Sequence, residues 1–472
     1  MTSSAEVRAV FARQRAAFAA DPMPNYQVRA TRLRALHKAM LEHREALATA
    51  IDVDYGGRSW HETMFLDVFA VVSLIRYTLA RLRGWMRPQR RSVELFLQPA
   101  QAHVVYQPKG VVGIIAPWNY PVYLSIGPLC AALAAGDRAI VKPSEAVPRT
   151  SDAIATMLRS VFDEDVVAVA TGGPDVSEAL SSLPLDHLFF TGSSTVARHV
   201  LRVAAENLTP VTLELGGKSP LIVHPSYPAD RAAKRIVVAK FFNAGQTCVA
   251  PDYALVHKGS RQRLVKALEQ AIRDAYPSVM GNPDYTSIID QRHVARLRGI
   301  VDDARAKGAT VVEVGRDGRP GDAPTSRRTF VPTLLLDVDD DMRAMRDEIF
   351  GPVLPIVEYD ALEDAIAFVN GRPRPLTLSY FDDDARRIRQ VLRSTISGGV
   401  CVNEAALHVL NPDLPFGGIG GSGFGAYHAE AGFRTFSHAK AVLSRGRLNS
   451  ANLLTPPYGS LFERIVRFLI GS

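Results

Sequence analysis

The stretch VVGIIAPWNY at residues 111–120 opens the pattern that decides the fold. Its first five residues, Val111–Ile115, are apolar or glycine throughout, and a loop bounded by Pro117 and Pro121 follows at once. The short runs Ala139–Val141, Val166–Ala170, His187–Phe190 and Val211–Leu215 repeat the theme, with helical stretches such as Arg149–Phe162 and Thr195–Asn207 between them. A strand that is apolar at successive positions is buried on both faces. Such strands alternating with helices imply a parallel, doubly wound α/β sheet of Rossmann type. Sheets of this kind bind ligands beyond the carboxyl ends of their strands.

Working outward, a second α/β pattern follows Gly216–Gly217. It contains a helix near Ala229–Asn243, strands near Tyr253–Val256 and Val353–Val357, and a helix at Leu362–Val369, and it is expected to end near Glu404. Upstream, residues 26–55 and 60–86 place apolar residues at helical spacing, as in Leu33, Leu36, Met40 and Leu47. From Val93 to Tyr106 the residues change to β-formers around Gln98-Pro99-Ala100, which predicts a hairpin. Arg434–Leu443 is strand-like and is expected to return and pair with it.

With 472 residues the chain is too long for one ordinary core, so several domains are expected. Hydrophobic residues at 47% and charged residues at 22% describe an ordinary globular composition, which excludes disordered and collagen-like classes. Cys130, Cys248 and Cys401 are too few and too scattered for a disulfide framework or a zinc site. A reducing, cytoplasmic setting is therefore expected, with no metal. No apolar run reaches the roughly 18 to 20 residues that span a bilayer. The net charge of +7 raises nucleic acid as a partner. Interleaved acids and bases argue against it, because the one dense cluster, Arg87–Arg91, is short and broken by Pro88.

Several residues carry chemistry. Cys248, in Asn243-Ala-Gly-Gln-Thr-Cys, is either a buried structural cysteine or a nucleophile freed by small neighbours. Glu214 ends an apolar strand before Gly216–Gly217; it caps the turn or serves as a general base. Asn119, in the loop after Ile115, is a turn former or an amide that donates to a developing oxyanion. Lys142 and Glu145, in Lys142-Pro-Ser-Glu, are surface charges or ribose ligands. Gly192 and Ser193 stand at a strand–glycine–helix junction, which suits a phosphate on backbone N–H groups. The fingerprint Gly418-Ile-Gly-Gly-Ser-Gly423 lacks the strand and helix that phosphate binding needs, and predicts instead a loop near the substrate mouth or a domain interface.

Taken together, Pro117-Trp-Asn, Lys142-Pro-Ser-Glu, Phe190-Thr-Gly-Ser, Leu213-Glu-Leu-Gly-Gly-Lys, Gly245-Gln-Thr-Cys and Glu348-Ile-Phe-Gly-Pro occur in an order that resembles the aldehyde dehydrogenase superfamily. Trp118-Asn-Tyr-Pro121, Cys248-Val-Ala-Pro-Asp252 and Pro415-Phe-Gly-Gly are similar to its class 3 branch. Gly57-Arg-Ser-Trp-His-Glu-Thr63, Tyr285-Thr-Ser-Ile-Ile-Asp290 and Leu454-Thr-Pro-Pro-Tyr458 resemble the bacterial coniferyl aldehyde dehydrogenases within that branch.

The resemblance implies a division of labour. Cys248 would attack the aldehyde, Asn119 and the Cys248 amide would bind the oxyanion, and Glu214 would activate the water that hydrolyses the thioester. NAD, with NADP as the alternative, would lie on Lys142, Glu145, Gly192, Ser193, Glu348, Phe350 and Trp118, with Lys142 and Glu348 at the riboses. Ala197 departs from a glycine frequent in the family. The expected substrate is an aromatic or hydrophobic aldehyde such as coniferyl aldehyde, with medium-chain aliphatic aldehydes as the alternative, entering a tunnel walled by Tyr120, Tyr123, Phe242 and Leu407. The implied layout has a dinucleotide-binding domain (1–90 and 108–215), a catalytic domain (216–405), an oligomerisation element (91–107 and 434–450) serving a homodimer, and a tail (451–472). The tail's amphipathic segment Ser460–Ile470 would cover the substrate entrance or a subunit interface, with membrane-surface contact as the alternative. A Cys–Glu thioesterase or acyltransferase would not need the cofactor residues. A non-catalytic NAD-binding protein would not need Cys248 and Glu214.

Overall fold

The computed structural model describes residues 2–315, 328–447 and 455–471. Three sheets organise the chain. The first contains β3 (Val111–Ile115), β4 (Arg138–Lys142), β5 (Val167–Val169), β6 (His187–Gly192) and β7 (Val211–Leu215), in the order β7-β6-β3-β4-β5 and parallel throughout. Its strands are almost wholly buried, and their apolar centres need cover on both faces. The order reverses at β3, so the loops after β3 and β6 flank one crevice, the usual ligand position in such sheets. A two-residue strand, β15 (Gly423–Phe424), adds antiparallel to the β7 edge.

The second sheet runs β10-β11-β12-β9-β8-β13-β14, with only β10 antiparallel. Its strands are β8 (Pro220–Val223), β9 (Tyr253–His257), β10 (Thr310–Glu313), β11 (Thr333–Leu336), β12 (Val353–Tyr359), β13 (Thr377–Phe381) and β14 (Gly399–Val402). One continuous hydrophobic core joins this sheet to the helices that cover the first.

The third sheet, β1-β2-β16, combines β1 (Gln89–Arg91), β2 (Gln101–Pro108) and β16 (Ser437–Ser444). The return pairing is antiparallel from Ser437↔Pro108 to Ser444↔Gln101. The hairpin itself differs from expectation. Its first arm is Gln89–Arg91, while Leu95–Leu97 forms a 3-10 turn before Pro99, so Val93–Gln98 is connection rather than strand. Arg434 and Thr435 close a helix, and residues 448–450 lie outside the described residues.

Two helical regions also depart from expectation. The helix Trp60–Trp85 is, by length and composition, long and apolar enough to cross a bilayer. Half of that stretch is buried in the fold, and Asp67 within it pairs with Arg58 in the interior. Such a helix is the core of a folded domain. Helix Ser460–Ile470 forms, yet none of its residues is buried and none lines either chamber described below.

Candidate active site

The nucleophile's loop is built by an unusual backbone. Helix Ala229–Phe241 stops, and Asn243, Ala244 and Gly245 all take positive φ, at 52°, 50° and 73°. Two of the three are not glycine, so the surroundings must hold the turn. Glu62 Oε2 accepts from the Asn243 amide at 2.9 Å. Asn243 Nδ2 donates to the carbonyls of Asn119 (2.9 Å) and Gln246 (3.1 Å). Gln246 in turn donates to Ser287 O (3.1 Å) and accepts from the Ile289 amide (2.9 Å). Cys248 follows this anchored turn.

A cavity of about 270 Å³ opens at the carboxyl ends of β3 and β6. Cys248, Glu214 and Asn119 all line it, as do Trp118, Gly192, Ser193, Glu348 and Phe350. Lys142 and Glu145 do not. Lys142 ends β4, where it pairs with Ile115 in the strand register, and its ammonium forms an ion pair with Glu145.

Asn119 is buried, and its Nδ2 donates to Gln246 O at 3.1 Å, so the amide is aimed across the gap between the two loops. Glu214 is buried with neither carboxylate oxygen hydrogen-bonded. Burial alone pushes its pKa well above the usual carboxylate range. Cys248 is pushed up to about 12, first by burial and then by the charges of Glu348 and Glu214. That shift leaves the resting thiol protonated. Glu348 accepts from the Gly217 amide at 3.0 Å and rises to about 7 through burial and neighbouring Asp252. A Cβ at Gly216 would lie 2.0 Å from Glu348 Oε1, so glycine is required there.

The residues present fit a nicotinamide dinucleotide. Ser193 caps helix Ser194–Ala205, accepting from the Val196 amide, so a helix N-terminus faces the cavity. Thr191 Oγ1 beside it is buried and unpartnered, a polar atom awaiting a ligand. Ala197 packs its methyl into the core beneath. Trp118 meets Phe350 edge-on at 5.5 Å and His293 at 5.1 Å.

A second, narrower chamber of about 60 Å³ lies on the other side of Cys248. Tyr120, Tyr123, Phe242 and Leu407 all line it. Tyr427, Phe416, Leu124 and Cys248 border both chambers. Sequence reasoning missed Thr191, His293, Arg296 and Tyr427. Arg296, which donates to the carbonyls of Glu348 (3.2 Å) and Ile349 (2.6 Å), follows Asp290 and His293 on one helix face, a spacing that gives no chemical signal. Tyr427 sits in Gly425-Ala-Tyr-His, where only the fold brings it to Cys248. Among the described residues no group of three or more His, Cys, Asp or Glu could hold a metal ion.

Known proteins place this geometry. The model of the aldehyde dehydrogenase family matches residues 1–442. A probable coniferyl aldehyde dehydrogenase from Pseudomonas aeruginosa is 50% identical over 461 residues, covering 98% of this chain and 95% of that protein. The substrate-bound structure of Staphylococcus aureus AldH superposes with a TM-score of 0.91 at 36% identity, covering 98% of this chain and 99% of the other. A Mycobacterium tuberculosis aldehyde dehydrogenase complexed with NAD+ gives a TM-score of 0.86 at 30% identity, covering 95% and 92% of the two chains. The nucleotide-shaped crevice, the thiol at its end and these likenesses agree: the chain belongs to the aldehyde dehydrogenase family and is an NAD(P)-dependent oxidoreductase that acts on aldehydes.

Proposed function

We propose that the protein oxidises a hydrophobic aldehyde, with coniferyl aldehyde to ferulate as the first choice, through a thioester on Cys248. The observation that carries this reading is that Cys248 borders both chambers, with Asn119 and Glu214 on the dinucleotide side. The aldehyde enters the apolar chamber. The Cys248 thiol loses its proton to solvent water, and the sulfur bonds to the carbonyl carbon. Asn119 Nδ2 and the Cys248 amide hold the negative oxygen. A bound nicotinamide dinucleotide would supply the acceptor for the hydride that this tetrahedral carbon gives up. Glu214 then takes a proton from water, the hydroxide adds to the thioester, and the sulfur departs as the acid forms. Ser193 and Gly192 would seat the pyrophosphate, Glu348 and Lys142 the riboses, and Phe350 and Trp118 the nicotinamide end, with Glu145 favouring NAD over NADP.

The ring-lined walls and the name of the Pseudomonas aeruginosa relative support an aromatic aldehyde. The chamber is the narrower of the two, about 60 Å³ against 270 Å³. That favours, as a second reading, a slim medium-chain aliphatic aldehyde. We also assign the dinucleotide-binding role to residues 1–90 and 108–215 and the catalytic role to 216–405. The third sheet would join two copies, since Leu443 lies exposed on it and Leu95 on the turn that connects its first two strands. The three unpaired cysteines suit a cytoplasmic setting. The test follows nicotinamide reduction with NAD or NADP and coniferyl aldehyde, benzaldehyde, hexanal and succinic semialdehyde, beside Cys248→Ala. Reduction that persists in the variant would overturn the thioester route, and the ranking of aldehydes decides between the two substrate readings.

A further inference from the structure

The segment from Gly57 to Thr63 and the helix that follows take no part in the chemistry above, yet they touch both catalytic loops. The Arg58 side chain is wholly buried. Its Nη1 donates to Asn119 O at 2.9 Å, and its Nη2 meets Asp67 Oδ2 at 3.4 Å. Asp67 is equally buried, and its Oδ1 accepts from the amides of Val122 (3.1 Å) and Tyr123 (3.0 Å). Those amides are the unsatisfied donors at the start of helix Pro121–Ala135, which has no side-chain cap of its own. One ion pair therefore grips the turn carrying Asn119 from both sides, at the carbonyl of 119 and at the amides of 122 and 123.

Two more donors complete the grip. Tyr55 Oη donates to Asn119 O at 3.1 Å, and Asn243 Nδ2 from the nucleophile loop donates to it at 2.9 Å. The guanidinium also stacks against Tyr55 and Tyr120, with centroids at 4.9 and 5.0 Å. Asp67 reaches the turn from Thr63–Phe69, a π-helical stretch inside an otherwise α-helical rod. Such widened turns cost stability and recur at functional sites. A buried ion pair is likewise a poor source of stability compared with apolar packing, but it sets geometry.

We propose that Arg58 and Asp67 are positioning residues for the oxyanion: the buried pair fixes the Asn119 peptide so that its side-chain amide points at the negative oxygen on the carbon bonded to Cys248. The proposal rests on the reading of Asn119 as oxyanion donor. Displacing a catalytic group by about 1 Å costs on the order of 100-fold in rate.

The test measures the first-turnover rate of NADH formation with benzaldehyde, and NAD affinity by fluorescence titration, for Arg58→Met, Asp67→Asn, Asn119→Ala and the combination of Arg58→Met with Asn119→Ala. Arg58→Met is expected to slow the first turnover about 10- to 100-fold, leave NAD affinity unchanged, and cause no further loss in the Asn119→Ala background. Arg58→Lys, which keeps the charge and one donor, should recover part of the rate. Equal fold-losses in both backgrounds would overturn the proposal, because a residue that only stabilises the fold acts independently of Asn119. If Asn119→Ala alone leaves the rate unchanged, the oxyanion reading falls, and the positioning role with it. Should Arg58→Met not fold, Arg58→Met with Asp67→Leu leaves no lone buried charge and carries the same comparison.

Discussion

Gly423 lies directly opposite Glu214 across the antiparallel pair of β15 and β7. Its φ is +128°, and a Cβ there would stand 2.1 Å from the Leu213 carbonyl oxygen. The glycine-rich stretch 418–423 thus runs into the strand that pairs along the edge of β7, which carries Glu214. Gly423→Ala should force β15 off β7, lower stability by about 2 kcal/mol or more, and slow the Glu214-dependent step. Thermal unfolding and the ratio of first-turnover to steady-state rate would check this; a wild-type ratio would separate the strand from the base.

Burial holds both Cys248 and Glu214 protonated above their ordinary ranges, and the proposed route uses both in the ionised form. Turnover should therefore rise with pH across the neutral and alkaline range. Glu214→Gln should leave the first turnover and lower the steady state by about 10²- to 10⁴-fold. Stopped-flow traces as a function of pH distinguish the two groups, since the burst then reports Cys248 alone.

Glu348 has its pKa raised from 4.5 to about 7, chiefly by burial. Its ionisation is harder in the folded chain than in the unfolded one, so the fold loses stability as pH rises from 4.5 to about 7. Glu348→Gln keeps an acceptor for the Gly217 amide and removes that penalty. Relative to wild type it should gain about 1–3 kcal/mol between the lower and upper ends of this window. Denaturant titrations at the two pH values measure the difference, and a constant offset would contradict it.

Gly245 closes the left-handed run before Cys248 with φ at +73°, and a Cβ there would lie 2.4 Å from Gly351 O and 2.9 Å from Lys240 O. Both obstacles are backbone. Gly245→Ala should displace the nucleophile loop, destabilise the protein by about 2–4 kcal/mol, and reduce labelling of Cys248 by an aldehyde-like electrophile. Retained stability and labelling would show that the turn relaxes.

Phe242 walls the apolar chamber beside Cys248. Phe242→Ala should widen it and raise kcat/KM for benzaldehyde relative to hexanal by about 10-fold, the scale of a few methylene contacts. An unchanged ratio would place the ring of the substrate elsewhere.

Legibility followed the physics of each signal. Val111–Ile115 coincides with a strand residue for residue, because a strand buried on both faces is apolar along most of its length. Val211–Leu215 coincides too, although Thr212 and Glu214 interrupt its apolar residues. β1 is three polar residues at a sheet edge and β15 is two residues long, so neither has a periodicity to read. The hairpin was misplaced for that reason: Leu95–Leu97 has strand composition but turns ahead of Pro99. Tyr120, Tyr123, Phe242 and Leu407 were legible as apolar walls, and the fold brings all four to one chamber.

By itself the sequence determined the alternation of strands and helices, the crevice at the end of β3, and the residue types at Cys248, Glu214 and Asn119, since each is a local consequence of pattern or chemistry. Only the tertiary structure decided that Cys248 rests as a neutral thiol and that Glu214 is left without a partner. It alone decided that Asp67, from another helix, and Arg58, from the connection before that helix, grip the turn of Asn119. Burial and long-range hydrogen bonding depend on what packs around a group, and those neighbours lie some 50 to 180 positions away along the chain.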